Sequence, residues 1–154
     1  MVSPQEFAPE IPWLDIETTP LDVLAPAVLR LLERIGSDEK ADPEGLILVG
    51  IWLAKKGREE LDRRVAEWLF GASTGSKVEA AVTLLRGLWS LQVRPQPIDP
   101  FAIALVLEKC RRGSLDDDPE AASGVDPSLM MLLEISQAQS LEPESRTEIE
   151  AYFV

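Results

Sequence analysis

The chain has 154 residues, of which 45% are apolar and 27% charged, and this composition fits one soluble globular domain with its own core. With one cysteine, Cys110, and no histidine, it excludes an internal disulfide, a Cys/His zinc site and Ser–His or Cys–His nucleophile pairs. The net charge of −12 argues against non-specific binding of nucleic acid, whose affinity depends on cationic contacts to phosphate.

The acidic charge is unevenly distributed along the chain. Residues 1–50 hold 3 basic and 10 acidic side chains, a net of −7, and residues 113–154 hold 1 and 10, a net of −9. Residues 51–112 hold 11 basic and 7 acidic side chains, which gives this middle segment a net of +4. The positive middle keeps a local anion site compatible with an otherwise acidic protein.

Residues 1–18 are predicted to form an extended N-terminal arm, and residues 19–154 a single α-helical domain. Three prolines interrupt the arm, and Trp13, Leu14 and Ile16 are the apolar side chains expected to pin it. The arm has no basic start and no apolar run, so no secretory signal is expected. The longest apolar runs, 46–54 and 101–107, are too short to cross a bilayer, which favours a cytoplasmic protein without a membrane segment.

The first two helices of the domain are predicted from their proline starts. Thr19-Pro20 supplies a hydroxyl cap and a proline in the first helical position, and apolar residues recur at helical spacing up to Gly36. Pro26 is expected to kink or restart this helix. Asp42-Pro43 opens the second helix, which is apolar on nearly every side up to Ala54 and is therefore expected to be central.

The third helix, residues 58–70, is predicted to be amphipathic. Its apolar face contains Leu61, Val65, Trp68 and Leu69. Its polar, solvent-facing side contains Arg58, Glu59, Asp62, Arg63 and Glu67. The tryptophans expected in the core of the domain are Trp52, Trp68 and Trp89.

Further helix starts follow at regular intervals. Ser76 and Glu79 form a predicted capping box for the fourth helix, and Asp99-Pro100, Asp126-Pro127 and Pro143 open the fifth, sixth and seventh. Six to seven helices with short links predict an all-α fold, either a compact bundle or a short solenoid-like array. The segments that begin at Asp42 and Asp99 share one pattern 57 residues apart, which is compatible with two copies of a helical unit or with ordinary helix punctuation.

The segment from Lys109 to Asp126 combines basic residues, a serine and several aspartates. Its Arg-Arg-Gly-Ser start matches what basophilic kinases select at Ser114, but helix-end cations, a C-terminal glycine and a capping serine account for the same residues. An EF-hand loop beginning at Asp116 fails, because Ala121 and Pro127 stand where glycine and a bidentate acid are needed. We therefore interpret the segment as helix caps joined by an acidic loop.

The sequence GASTGSK, from Gly71 to Lys77, does not fit a phosphate-binding P-loop. Three residues rather than four separate its glycines, Ser76 precedes the lysine, and a helical pattern stands where a strand is required. No nucleotide, other cofactor or metal is expected.

Basic side chains of the positive middle form the candidate binding patch. If the two Asp-Pro helices pack side by side in the same direction, their basic ends lie together and attract a phosphate group or an acidic protein segment. If they do not, each basic end only complements its own helix dipole. The candidate residues are Lys55, Lys56, Arg58, Arg63, Arg64, Lys109, Arg111 and Arg112.

Together these patterns predict a non-catalytic α-helical protein-interaction module, an adaptor, regulator or inhibitor whose partner is another protein. The alternative is an acidic inhibitor that mimics nucleic acid and uses its terminal carboxylates against a basic partner. A third hypothesis is a carboxylate-dependent metal enzyme, for which Glu108 and Glu134 near the apolar faces are the main candidates.

Overall fold

A computed structural model describes residues 3–13, 15–37, 43–57, 59–71, 75–90, 93, 98–113, 127–137 and 141–153. Over these residues the chain forms eight helices and no strand, so the all-α prediction is confirmed and the helices pack as a bundle. The helices are α1 (Pro4–Phe7), α2 (Leu21–Ser37), α3 (Pro43–Ala54), α4 (Glu59–Gly71), α5 (Gly75–Leu88), α6 (Pro100–Gly113), α7 (Pro127–Ser136) and α8 (Pro143–Phe153). Within the described ranges, no helix is long and apolar enough to cross a membrane.

Proline starts predicted four of these helices correctly. Pro43, Pro100, Pro127 and Pro143 are the first residues of α3, α6, α7 and α8. The cap of α6 is visible, because Asp99 Oδ1 accepts a hydrogen bond of 3.1 Å from the N–H of Phe101. Asp42 and Asp126, the caps predicted for α3 and α7, lie outside the described residues, as does the side chain of Ser76 near the start of α5.

Helix α2 continues through its internal proline, Pro26, without ending. α2 runs from Leu21 to Ser37, so the helix does not restart at Pro26, and the predicted stop at Gly36 comes one residue early. The alternative that Pro26 kinks the helix stays a prediction. Pro26 is exposed, whereas Leu24 and Val28 on either side of it are fully buried. Burial of apolar side chains on both sides keeps the two halves of the helix together despite the missing backbone donor.

The N-terminal segment is not extended throughout, which corrects the prediction for Pro4–Phe7. Ser3 and Glu6 form a capping box, in which the N–H of Glu6 donates to Ser3 Oγ at 3.3 Å and the N–H of Ser3 donates to the Glu6 carboxylate at 3.4 Å. The helical turn that follows places the Phe7 ring against Gly45 of α3. The division into an arm and a domain stays a prediction.

Packing of the remaining N-terminal residues involves a pair of tryptophans. The ring of Trp13 lies against that of Trp52 on α3, with centroids 4.1 Å apart, and Trp13 Nε1 donates to the carbonyl of Ala8 at 2.7 Å. Ala8, Ile11 and Ile16 are buried. These contacts attach the segment to one side of α3.

The central helix is α5, not α3 as the apolar run predicted. α5 packs against α2, α3, α4 and α7, while α3 packs against α5 and α1. Small residues allow these neighbours to approach, above all where Gly87 of α5 crosses Gly50 of α3. Exposed side chains of α5 include Glu79 and Arg86, which face solvent between the surrounding helices.

Several side chains lie at a different depth from that predicted. Trp89 is buried, whereas Trp52 and Trp68 are half-buried at the edge of the core. Asp62, predicted on the solvent side of α4, is only 1% exposed, which overturns that prediction. It lies four and seven residues before buried Ala66 and Leu69, on the same helical stripe. Cys110 is buried on α6.

Candidate docking surface

The two basic clusters do not converge on one patch. α6 packs against α4, α7 and α8 rather than beside α3, so the side-by-side packing required for one patch is not present. Arg63 Nε donates to Asp99 Oδ2 at 3.0 Å, which places the start of α6 next to the first half of α4. Lys109 and Arg111 stand ten and twelve residues beyond Asp99, about 15–18 Å farther along the helix at 1.5 Å per residue. The clusters therefore lie at opposite ends of α6.

Carboxylates neutralise several of the predicted patch residues. The ion pairs are Lys56–Glu17 at 3.3 Å, Arg63–Asp99 at 3.0 Å and Arg111–Glu108 at 3.6 Å. Lys55 and Arg64 are exposed and Lys109 is half-buried, while Arg58 and the side chain of Arg112 lie outside the described residues. Surface pairs of this kind contribute about 0–1 kcal/mol, so they neither stabilise the fold strongly nor leave a concentrated positive field. A role of these residues in binding stays a prediction.

A groove lies over the C-terminal half of α5, between α3 and α7. Both helices pack on α5, and a cavity of about 260 Å³ lies between them above it. Its lining is mainly apolar and consists of Ile47, Ile51, Arg86, Trp89, Ser90, Ile98, Met131, Glu134 and Ile135. The volume is at the small end for a ligand pocket and suits one or two side chains better than a large metabolite.

The outward side of α3 continues the apolar surface of this groove. At 100° per residue, Ile47 and Ile51 face the groove, and Leu48 and Trp52 follow around the helix toward the N-terminal segment. All four are half-buried. We call Ile47, Leu48 and Ile51, together with the groove, the α3 face. Its apolar side chains are partly exposed, on a helix whose other side, with Leu46, Val49 and Leu53, is buried.

An ion pair closes one edge of the α3 face. Arg86 of α5 meets Glu134 of α7 through two contacts, Nε to Oε2 at 3.0 Å and Nη2 to Oε1 at 2.9 Å. This two-point geometry fixes both side chains against the groove wall. Glu134, which the sequence marked as an acid near an apolar face, is therefore a structural neighbour of the groove.

The floor of the groove contains a buried donor, the indole N–H of Trp89. Trp89 is 4% exposed and lines the groove, and the described part of the chain offers no acceptor to this N–H. A buried donor left without any acceptor costs about 1–3 kcal/mol, so an acceptor supplied at the groove would be favourable there.

Among the described residues, no cluster of three or more histidine, cysteine, aspartate or glutamate side chains is arranged to hold a metal ion. The proposed kinase site at Ser114 and the acidic loop from Asp116 lie outside those residues, as do positions 72–74 of the GASTGSK segment. The element before that segment is helix α4 rather than the strand that a P-loop requires.

Comparison of the chain with protein-family models, curated proteins and solved structures finds no match in any of the three. The α3 face was not predicted as a site, because an apolar run in a sequence indicates burial without specifying what buries it. Two signals pointed toward it: a helix apolar on every side, and a glycine in the middle of each of two helical patterns, at Gly50 and Gly87.

Proposed function

We propose that this protein is a non-catalytic α-helical interaction module that binds another protein through the α3 face. The observation that carries the proposal is the partly exposed apolar side of α3 beside the groove. A helix that is apolar all round is normally buried all round. Here α5 and α1 cover one side, and Ile47, Leu48 and Ile51 remain for a partner to cover.

The shape of the α3 face supports recognition of a helix. A ridge formed by one turn of α3 lies beside a groove with apolar walls, which matches the spacing of anchors at i, i+3 and i+4 on an amphipathic helix. Burial of two or three such anchors supplies about 1.5–3 kcal/mol each before the costs of association. The charged pair Arg86–Glu134 would then stand at the polar rim.

The experiment compares what two surface variants of the protein capture. Ile51→Gln places an amide in the α3 face, while Val23→Gln makes the same kind of change at a valine of α2 that is 55% exposed. In affinity purification from cells that contain the chain, we expect one protein to be retained by the wild type and by Val23→Gln and lost by Ile51→Gln. Thermal unfolding of the three proteins checks that the variants are folded.

A further variant separates the α3 face from the basic residues as the docking surface. Arg111→Glu reverses charge at the far end of α6, well away from the groove lining. If the α3 face binds the partner, this variant retains it. Loss of the partner in Arg111→Glu with retention in Ile51→Gln would contradict the proposal and favour an anion site at the end of α6.

The predicted cytoplasmic location belongs to the same proposal and can be checked by fractionation. The hypotheses of a nucleic-acid mimic and a carboxylate-dependent metal enzyme remain as alternatives. A mimic would release its partner at moderate salt without sensitivity to Ile51→Gln. A metal enzyme would gain thermal stability from Mn²⁺ or Mg²⁺.

A further inference from the structure

We infer that the α3 face binds a basic amphipathic helix of a different protein, with apolar side chains on α3 and in the groove and lysines or arginines over α7 and α8. This inference rests on the proposed function and names the class of partner. It follows from the charged side chains on the two sides of the α3 face.

The α7 side of the groove is acidic in the part that the structure describes. Over residues 127–137 and 141–153 the acidic side chains are Glu134, Glu142, Glu144, Glu148 and Glu150, and the basic side chain is Arg146. α8 packs against α7, and Arg146 Nη1 donates to the carbonyl of Ser136 at 3.2 Å, which joins the first half of α8 to the end of α7 that lines the groove. Glu142, Glu144 and Glu148 of this region are exposed.

On the opposite side, half of the acidic side chains are paired within the bundle. Residues 3–20 hold four acids and no base, but Glu10 pairs with Arg34 at 3.3 Å and Glu17 pairs with Lys56 at 3.3 Å. Positive groups beside the face are Lys55, at the C-terminal end of α3, and Arg86, which Glu134 neutralises. Among the described residues, the larger excess of acid therefore lies on α8 and the turn before it, and it favours positive charge on that side of the partner.

The same charge argues against a second copy of the chain as the occupant. Each copy carries a net charge of −12, so two copies that met at this face would bring their acidic segments together. The negative charge that repels a second copy attracts a basic helix. Electrostatic steering of this kind raises the association rate and makes it depend on salt.

Two designed helical peptides test the inference directly. Both carry leucine at i, i+3, i+4 and i+7, and their remaining positions are filled with lysine in one and glutamate in the other. Titration calorimetry with the full-length protein should show the lysine peptide binding at least about tenfold more tightly than the glutamate peptide. Raising the salt concentration should reduce this difference.

Variants of the protein show where the peptide binds. Ile51→Gln should weaken the lysine peptide about tenfold or more, because an apolar anchor then meets an amide, while Val23→Gln should leave its affinity unchanged. Glu144→Gln and Glu148→Gln should each weaken the lysine peptide by up to about fivefold, in line with exposed charge pairs. Sedimentation of the protein alone should show no dimer formed through the α3 face. Such a dimer would be recognised because Ile51→Gln would dissociate it.

The outcomes separate this inference from the proposed function. Equal binding of both peptides, with loss of both in Ile51→Gln, overturns the charge inference and leaves the α3 face as the docking site. Binding of the lysine peptide that Ile51→Gln does not change overturns both, because net charge alone then holds the peptide. A dimer dissolved by Ile51→Gln, or no binding of the lysine peptide, overturns the inference.

Discussion

Gly50 of α3 and Gly87 of α5 meet backbone to backbone where the two helices cross. A Cβ on Gly87 would lie 2.5 Å from the carbonyl oxygen of Ile47 and 3.0 Å from Cα of Gly50. A Cβ on Gly50 would lie 2.7 Å from the carbonyl oxygen of Leu84. The groove depends on this crossing, because α3 must lie deep against α5 for Ile47 and Ile51 to form its wall.

Gly87→Ala should destabilise the fold by about 1–3 kcal/mol, because the new methyl group meets backbone that cannot rotate away. The sign is informative, since glycine to alanine inside an unobstructed helix stabilises by up to about 1 kcal/mol. Gly71→Ala is the matched control, because a Cβ at Gly71 would have no neighbour within 4 Å. Urea unfolding of both variants measures the difference, and equal stability of the two would contradict the close crossing.

Gly57 provides a second glycine test with a different cause. Its φ of +69° lies in the left-handed region, and nothing lies within 4 Å of a Cβ built there. Gly57→Ala should therefore cost about 1–2 kcal/mol from backbone strain alone. Gly57→Asn should cost less, because asparagine tolerates this conformation better. Equal losses for the two variants in chemical denaturation would argue against a left-handed residue at the end of α3.

Asp99 should contribute to stability in two separable ways. Its Oδ1 caps α6 through the N–H of Phe101, and its Oδ2 accepts from Arg63 at 3.0 Å. Asp99→Ala loses both contacts and should cost about 1–2 kcal/mol, while Asp99→Asn keeps a capping oxygen and should cost less. A double-mutant cycle with Arg63→Gln measures the ion pair. A cap is ruled out if asparagine and alanine destabilise equally.

Trp13 and Trp89 can be compared to measure how much an indole hydrogen bond contributes to the free energy of unfolding. Trp13 Nε1 donates to Ala8 at 2.7 Å, whereas the N–H of Trp89 has no acceptor in the described part of the chain. Trp13→Phe should therefore lose about 1 kcal/mol of hydrogen bonding that Trp89→Phe does not lose. We expect Trp89→Phe to cost no more than Trp13→Phe, although Trp89 is the more deeply buried. A clearly larger loss at Trp89 in thermal unfolding would contradict this expectation.

Local signals were enough to predict where most helices begin. A cap followed by proline fixes the first turn without reference to the rest of the chain, and Pro43, Pro100, Pro127 and Pro143 all start helices. The capping box of Ser3 and Glu6 is equally local, but the prolines of that segment led to an extended interpretation. The prolines were given more importance than the capping box, although the Ser3 and Glu6 pattern is present in the sequence.

Long-range packing was beyond what these patterns contain. The hub of the bundle is α5, whose alanines and Gly87 let neighbours approach closely, yet small residues contribute little to an apolar pattern. The basic clusters were placed together because α3 and α6 share a sequence pattern, but which helices become neighbours depends on the whole core. Ile47 and Ile51 were identified as apolar without any sign that they would remain partly exposed.

Burial of Cys110 turns the chain's one thiol into a reporter of internal opening. The residue is 2% exposed near the end of α6, so a thiol reagent reaches it through transient exposure of the interior. Its modification rate under native conditions therefore gives the free energy of that opening event. A second cysteine placed at Leu48, which is partly exposed, should react faster than Cys110. This difference in rate would allow a spectroscopic label to be attached to the α3 face while the native thiol remains intact.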